Sequence, residues 1–239
     1  MILVLCPTRG RPAAVREVVE SLAATRHDTH TRVLFVLDEG DPLRGSYQSE
    51  VQLSDPHNEL AGLLSVPGGT MVKALNEAAA EVIQVDPFAS IIGFIGDDHR
   101  FRTKGWDEIF LRHVQTHNVA MMYAHDGARS DIPTQIFVTS NVIHALGWFA
   151  PPFLKHLYVD DAWRRIGDDA GILYLFKDVL VEHMHPAWGK AASDEGYERV
   201  NSREMYSADG EAFHQWLNSG AYKETLSRIL SMTYRPSGV

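Results

Sequence analysis

The residue types able to do chemistry in this 239-residue chain gather in short polar runs that each follow an apolar run. Asp97-Asp98-His99 follows Ser90–Ile95. Two carboxylates placed together beside an imidazole at the end of an apolar strand repel each other unless a cation lies between them. Carboxylate oxygens suit Mg²⁺ or Mn²⁺, and an added imidazole favours Mn²⁺. Taken alone, the cluster fits a solvated turn equally well. Pro7-Thr8-Arg9-Gly10-Arg11 follows Ile2–Cys6, and Asp38 follows Val33–Leu37. Arg9, Arg11 and Lys73 are cations able to face a diphosphate, or else ordinary surface charges. Further on, Asp160-Asp161 opens a helical pattern. An acid pair there either complements the helix N-terminus or takes a proton from a reacting hydroxyl. His183 and His185, spaced i, i+2 after Val179–Glu182, share a face if the strand continues, and either can ligate a metal.

The elements that would position these residues follow from hydrophobic period. Short apolar runs alternating with helical patterns predict βαβ units, a mostly parallel sheet and an α/β fold. Strands are expected at Ile2–Cys6, Val33–Leu37, Leu63–Val66, Ser90–Ile95, Val119–Tyr123, Gln135–Thr139, Ile172–Phe176 and Val179–Glu182. Helices are expected from Pro12 to Thr25, Thr70 to Val85, Gly105 to Gln115, Ser140 to Leu146, Asp161 to Gly167 and Glu211 to Met232. The polar stretch 38–59, with its glycines and prolines, predicts a loop carrying one short strand at Val51–Leu53. In open α/β sheets ligands bind beyond the carboxyl ends of strands, where the loaded positions fall.

Composition bounds the rest. At this length, with 45% apolar residues, one compact domain with a substantial core is expected. A net charge of −9 disfavours a nucleic-acid duplex as partner. Cys6 is the single cysteine, so neither an intrachain disulfide nor a thiolate-cluster metal site is available. Apolar runs are far short of the ~20 residues of a membrane span. The start of the chain lacks signal-peptide features, so a cytoplasmic protein is expected.

The order of the features from Ile2 to His185 resembles family 2 and its relatives among the GT-A glycosyltransferases. Ile2 to Pro12 resembles the family's opening, whose strand-one exit loop holds the nucleotide. Asp38 resembles its acid on base or ribose. Gly69, Lys73 and Asn76 fall in a segment similar to its nucleotide-side helix, Gly96 to His99 is similar to its DxD-type motif, and Gly105-Trp106 to the glycine-aromatic pair that follows. Tyr158 to Gly167 is similar to the acceptor-side acidic motif, with Asp160 in place of the usual glutamate.

The resemblance implies a Rossmann-like, nucleotide-diphospho-sugar transferase domain. Residues 1–125 would form the nucleotide-binding half, 126–205 the acceptor half and 206–239 a helical tail. It implies transfer of a sugar from a nucleoside-diphosphate sugar, UDP being the commonest donor, to an acceptor hydroxyl on a glycan or protein. The expected reaction is inverting, with Asp161 as base and Asp160 second. Nucleotide-sugar contacts would come from Pro7, Thr8, Arg9, Arg11, Asp38, Lys73, Asn76, Asp97 and Lys190, with Asp97 on the ribose or a metal-bound water. Mn²⁺ or Mg²⁺ would bind Asp98, with His99 as an extra ligand and His183 preferred over His185. Trp188 would stack on the acceptor or pack, and Gly189, Lys190 and Asp194 would form a closing loop. Compact enzymes of this kind also occur in bacteriophages, which would place the protein in the host cytoplasm. Two other readings remain open: a sugar-nucleotide pyrophosphorylase, whose GxGxR-type loop is missing from Pro7–Arg11, and a non-catalytic nucleotide-sugar-binding module of the same fold.

Overall fold

The computed structural model describes residues 1–86, 89–190, 198 and 200–233. Eight strands form one sheet: β1 (Ile2–Pro7), β2 (Arg32–Asp38), β3 (Ala61–Val66), β4 (Ile91–Phe94), β5 (His99–Phe101), β6 (Met121–His125), β7 (Ile136–Thr139) and β8 (Leu173–His183). Their order is β3-β2-β1-β4-β7-β6-β8-β5. Only β5 and β7 run against the rest, so the sheet is mostly parallel, as expected. The helices are α1 (Pro12–Thr25), α2 (Arg44–Ser54), α3 (Met71–Val85), α4 (Trp106–Thr116), α5 (Ser140–Leu146), α6 (Val159–Ala170), α7 (Arg203–Leu217) and α8 (Gly220–Thr233).

β1 is apolar throughout because helices cover both its faces. Ile2, Val4 and Cys6 pack with α1, α2 and α4, whereas Leu3 and Leu5 pack in a second core with α3, α5, α6, α7 and α8. No helix among the described residues is long and apolar enough to cross a membrane.

Three expectations are corrected, and one further strand is found. The 38–59 stretch holds α2 in place of a loop with a short strand at 51–53. Only Tyr47 and Val51 of that helix are buried, one i, i+4 pair, too thin a stripe to register as periodic. The two strands expected at 172–176 and 179–182 are one, β8. The ladder with β6 jumps between Phe176 and Leu180, leaving Lys177 and Asp178 exposed in an irregularity. The tail is two helices, broken at Asn218-Ser219. Finally, His99 opens the three-residue strand β5, antiparallel to β8 with His99 opposite His183.

Candidate active site

The carboxyl ends of β1, β2 and β4, joined by the β5–β8 ladder, bring the distant polar runs together. The Gly96–His99 turn is folded tightly. A Cβ on Gly96 would lie 2.5 Å from Asp98 Oδ1 and 3.2 Å from His99 Nδ1, so only glycine leaves room for these side chains to fold back. Asp98 Oδ1 lies 3.2 Å from His99 Nδ1, and Asp98 Oδ2 lies 3.2 Å from His183 Nε2. The two imidazoles stack with centroids 4.2 Å apart. One ligand atom from each of Asp98, His99 and His183 falls within 4.8 Å of the others. Backbone bonds stitch this corner: Met184 N–H donates to the Asp98 carbonyl and His183 N–H to that of Asp126.

The donor set fits a divalent transition metal. The Gly96 N–H donates to His99 Nδ1, which makes that nitrogen an acceptor, yet it also faces an Asp98 oxygen. In that tautomer Nε2 carries the proton, and it is buried with no partner. Moving the proton to Nδ1 satisfies Asp98 and leaves the Gly96 N–H facing another N–H. Asp98, His99 and His183 would hold a cation, whose positive charge would offset the lone pairs that face one another there. Burial and the His183 neighbour push the His99 pKa down, which keeps the ring neutral, the form that ligates. Burial alone would raise the Asp98 pKa, but the imidazoles of His183 and His99 facing its two oxygens hold it well below the usual carboxylate range. One carboxylate and two nitrogens make a poor set for Mg²⁺ and a better one for Mn²⁺. His185 stands edge-on to His183 at 4.8 Å, and its Nδ1 accepts from Ala187 N–H in the following 3₁₀ turn, Pro186–Trp188.

Asp97 faces the other way. Its carboxylate accepts from the Thr8 hydroxyl (2.7 Å) and the Arg11 guanidinium (3.0 Å), tying the β4 turn to the β1 exit loop. Burial nevertheless leaves its pKa raised. Pro7 ends β1, and Arg9, 64% exposed, pairs at 3.5 Å with Asp38 at the end of β2. Lys73, in the first turn of α3, reaches the Gly68 carbonyl and Glu77, and Lys190 pairs with Glu182 at 2.8 Å. Each of the four expected cations, Arg9, Arg11, Lys73 and Lys190, therefore has a carboxylate partner. Asn76 is engaged elsewhere, exchanging three hydrogen bonds with the backbone of Phe149 and Ala150. Trp106 is fully buried against Phe101, Phe110 and Phe137, whereas Trp188 is 50% exposed. Asp194 lies outside the described residues.

Asp160 and Asp161 occupy the first turn of α6. Burial and the Asp161 charge push the Asp160 pKa up to about 6, against hydrogen bonding from the Asp161 N–H.

Several positioning residues escape a reading by motif. Arg100, buried, donates from Nη1 to the carbonyls of Asp97 (2.8 Å) and His99 (2.7 Å) while its other nitrogens bind Glu17 of α1. Asp126, at the carboxyl end of β6, accepts from Ala128 N–H, Arg129 N–H and the Thr134 hydroxyl. The strand-end rule that flagged Asp38 also points to it. Tyr47 of α2 is wholly buried, and its hydroxyl accepts from Arg11 N–H at 3.0 Å and lies 3.4 Å from Thr8 Oγ1. Tyr47→Phe should remove the hydrogen bond to the Arg11 N–H, cost about 1 kcal/mol and lower Tm by roughly 2–4 °C. Nucleoside-diphosphate affinity measured by calorimetry should fall several-fold; unchanged Tm and affinity would mean the hydroxyl does not hold the loop.

The chain superposes on the Pyrobaculum calidifontis mannosyltransferase PcManGT, solved with GDP-Man and Mn²⁺, with a TM-score of 0.68 over 97% of this chain and 69% of that one, at 13% identity. Its fold is GT-A. S. aureus TarS 1-349, in complex with UDP-GlcNAc, matches this GT-A domain with a TM-score of 0.64 over 97% and 70% of the two chains, also at 13% identity. A Bacillus anthracis protein assigned as a glucose-1-phosphate thymidylyltransferase, bound to sucrose, matches with a TM-score of 0.54 over 87% and 99% of the chains at 10% identity. At such identities these likenesses speak to fold alone. No protein-family model and no curated protein matches the sequence.

Proposed function

We propose that this GT-A chain is a metal-dependent glycosyltransferase that moves a sugar from a nucleoside-diphosphate sugar to an acceptor hydroxyl with inversion. The observation that carries the reading is the meeting of Asp98, His99 and His183 beside the Thr8–Arg11–Asp97 loop at the carboxyl edge of the sheet. Asp98, His99 and His183 would hold Mn²⁺, with His185 behind His183. The ion would neutralise the charge that grows on the departing diphosphate. Asp38 would receive the nucleoside, and Arg9, Arg11, Lys73 and Lys190 would exchange their carboxylate partners for phosphate oxygens. Pro7 and Thr8 shape the loop, Asp97 anchors it through the Thr8 hydroxyl and would face the ribose or a metal-bound water, and Asn76 acts through the 149–150 backbone.

The acceptor oxygen forms its bond to the anomeric carbon as the bond from that carbon to the diphosphate oxygen breaks. The electron pair of the broken bond leaves on the diphosphate. The acceptor's proton passes to a carboxylate, since a hydroxyl is a poor nucleophile until that proton is taken. The order of the motif assigns this role to Asp161. A second reading gives it to Asp160, because burial and the Asp161 charge push its pKa up to about 6, which makes it a better proton acceptor than an ordinary carboxylate while leaving it ionised at neutral pH. The test is the product. Incubated with a nucleotide sugar, Mn²⁺ and an acceptor glycan or protein, the protein should release nucleoside diphosphate; release of sugar 1-phosphate would contradict the reading.

A further inference from the structure

Helix α7 does more than cover the core. Its Asp209, 1% exposed, accepts three consecutive backbone N–H groups from the loop that enters α6: Lys155 (3.1 Å), His156 (2.9 Å) and Leu157 (2.8 Å). The next residue of that loop, Tyr158, is the N-cap of α6 and stands at φ +61°, a left-handed conformation costly for an aromatic residue. Such strain persists only where neighbours enforce it, and α7 supplies them. The Tyr158 ring stacks on Phe213 with centroids 5.6 Å apart and planes inclined by 27°, and it passes so close to Gly210 that an added Cβ would meet three of its atoms at 3.1–3.2 Å. The Tyr158 carbonyl accepts the first hydrogen bond of α6, from Ala162 N–H, so the strained residue fixes the helix's first turn, where Asp160 and Asp161 sit. The same loop is tied to the nucleotide side, since the Lys155 carbonyl accepts from Val72 N–H in the first turn of α3.

We propose that Asp209 and Gly210 of α7 are positioning residues that set the entry of α6 and thereby place the Asp160–Asp161 pair. The inference rests on the reading of that pair as the acceptor-side base. Three consecutive N–H groups taken by one buried carboxylate fix the loop in translation, and the Gly210 contact fixes Tyr158 in rotation. Misplacing a catalytic group by about an ångström can cost roughly 100-fold in rate, so a shift of a few tenths of an ångström should be visible.

The test compares Gly210→Ala and Asp209→Asn with Glu211→Ala, an exposed position on the same helix. Two quantities are read: the titration midpoint of the Asp160 carboxyl by carbon NMR, and kcat against the KM for the nucleotide sugar. Both α7 variants should move the midpoint and lower kcat by roughly 10-fold, with the KM and Mn²⁺ requirement retained. Glu211→Ala should match the unaltered protein, and the retained KM separates a displaced acid pair from a protein that has lost its fold. An unmoved midpoint with unchanged kcat in both variants would overturn the proposal, as would a KM that rises in step with the fall in kcat. Failure of the underlying reading has a different signature: the midpoint moves in Gly210→Ala, yet Asp160→Asn and Asp161→Asn both keep full turnover.

Discussion

Asp98→Asn should abolish Mn²⁺-dependent nucleotide binding while leaving the chain folded. Asp98 is the residue of the trio whose carboxylate faces a ring nitrogen of each of the other two, and it supplies the only negative charge among them. The amide keeps the shape and loses the charge that attracts the cation. Changes one shell away from a metal typically cost 10–100-fold in affinity, so loss of this ligand should cost at least about 100-fold. Calorimetric titration of a nucleoside diphosphate with and without Mn²⁺ measures it. The unaltered protein should bind more tightly with Mn²⁺, and the variant should bind equally weakly in both. Equal enhancement by Mn²⁺ in the variant would remove Asp98 from the ligand set. The depressed pKa has a stability consequence too. A carboxyl whose folded pKa lies below its unfolded value contributes stability above the unfolded pKa, and this is lost as pH falls through the folded one. Asp98→Asn should therefore narrow the stability difference between neutral and strongly acidic solution.

Removing the Asp160 charge should raise stability and lower turnover together. The carboxyl is raised from 3.8 to about 6 by burial and by Asp161, so its ionised form is disfavoured in the folded state. The sign is the reverse of Asp98. The penalty is absent below the unfolded pKa, grows as pH rises between the two values and is complete above about 6. Asp160→Asn should then stabilise the protein at neutral pH by about 1–3 kcal/mol, read from chemical denaturation. If Asp160 is the base, turnover in the unaltered protein falls as pH drops below about 6, and Asp160→Asn lowers kcat by roughly 100-fold or more. If Asp161 is the base, Asp161→Asn takes the larger loss and Asp160→Asn mainly displaces the acid limb of the pH profile. Full activity in both variants would show that neither carboxyl takes the proton.

Much of this site is legible in the sequence because it lies at strand ends, and strands buried on both faces announce themselves as apolar runs. Asp38, Asp97, Asp98 and Arg11 follow such runs directly. The pairing of His99 with His183 is another matter. It depends on the register of β5 with β8, and β5 is three residues long, too short to carry a period. Its consequence, that two imidazoles stack over one carboxylate, is a property of long-range pairing. Tyr47 and Asp209 were hidden for a related reason. Each sits on a helix whose burial is narrow or discontinuous, and each acts on the backbone of a loop far away in sequence, where side-chain type gives no signal. Asn76 shows the converse, since a motif-like position put it beside the nucleotide, and its amide is taken up by the 149–150 backbone.

On the proposed function, the bond broken is the one between the anomeric carbon and the diphosphate oxygen of a nucleotide sugar. The GT-A fold is compatible with attack at the anomeric carbon or at phosphorus, and phosphorus NMR separates the two. The protein is incubated with GDP- and UDP-sugars and Mn²⁺, with an acceptor glycan or protein in one arm and pyrophosphate in the other. The proposed function predicts nucleoside diphosphate in the acceptor arm, none without metal, and no nucleoside triphosphate in the pyrophosphate arm. Nucleoside triphosphate together with sugar 1-phosphate in the pyrophosphate arm would contradict it and identify a pyrophosphorylase.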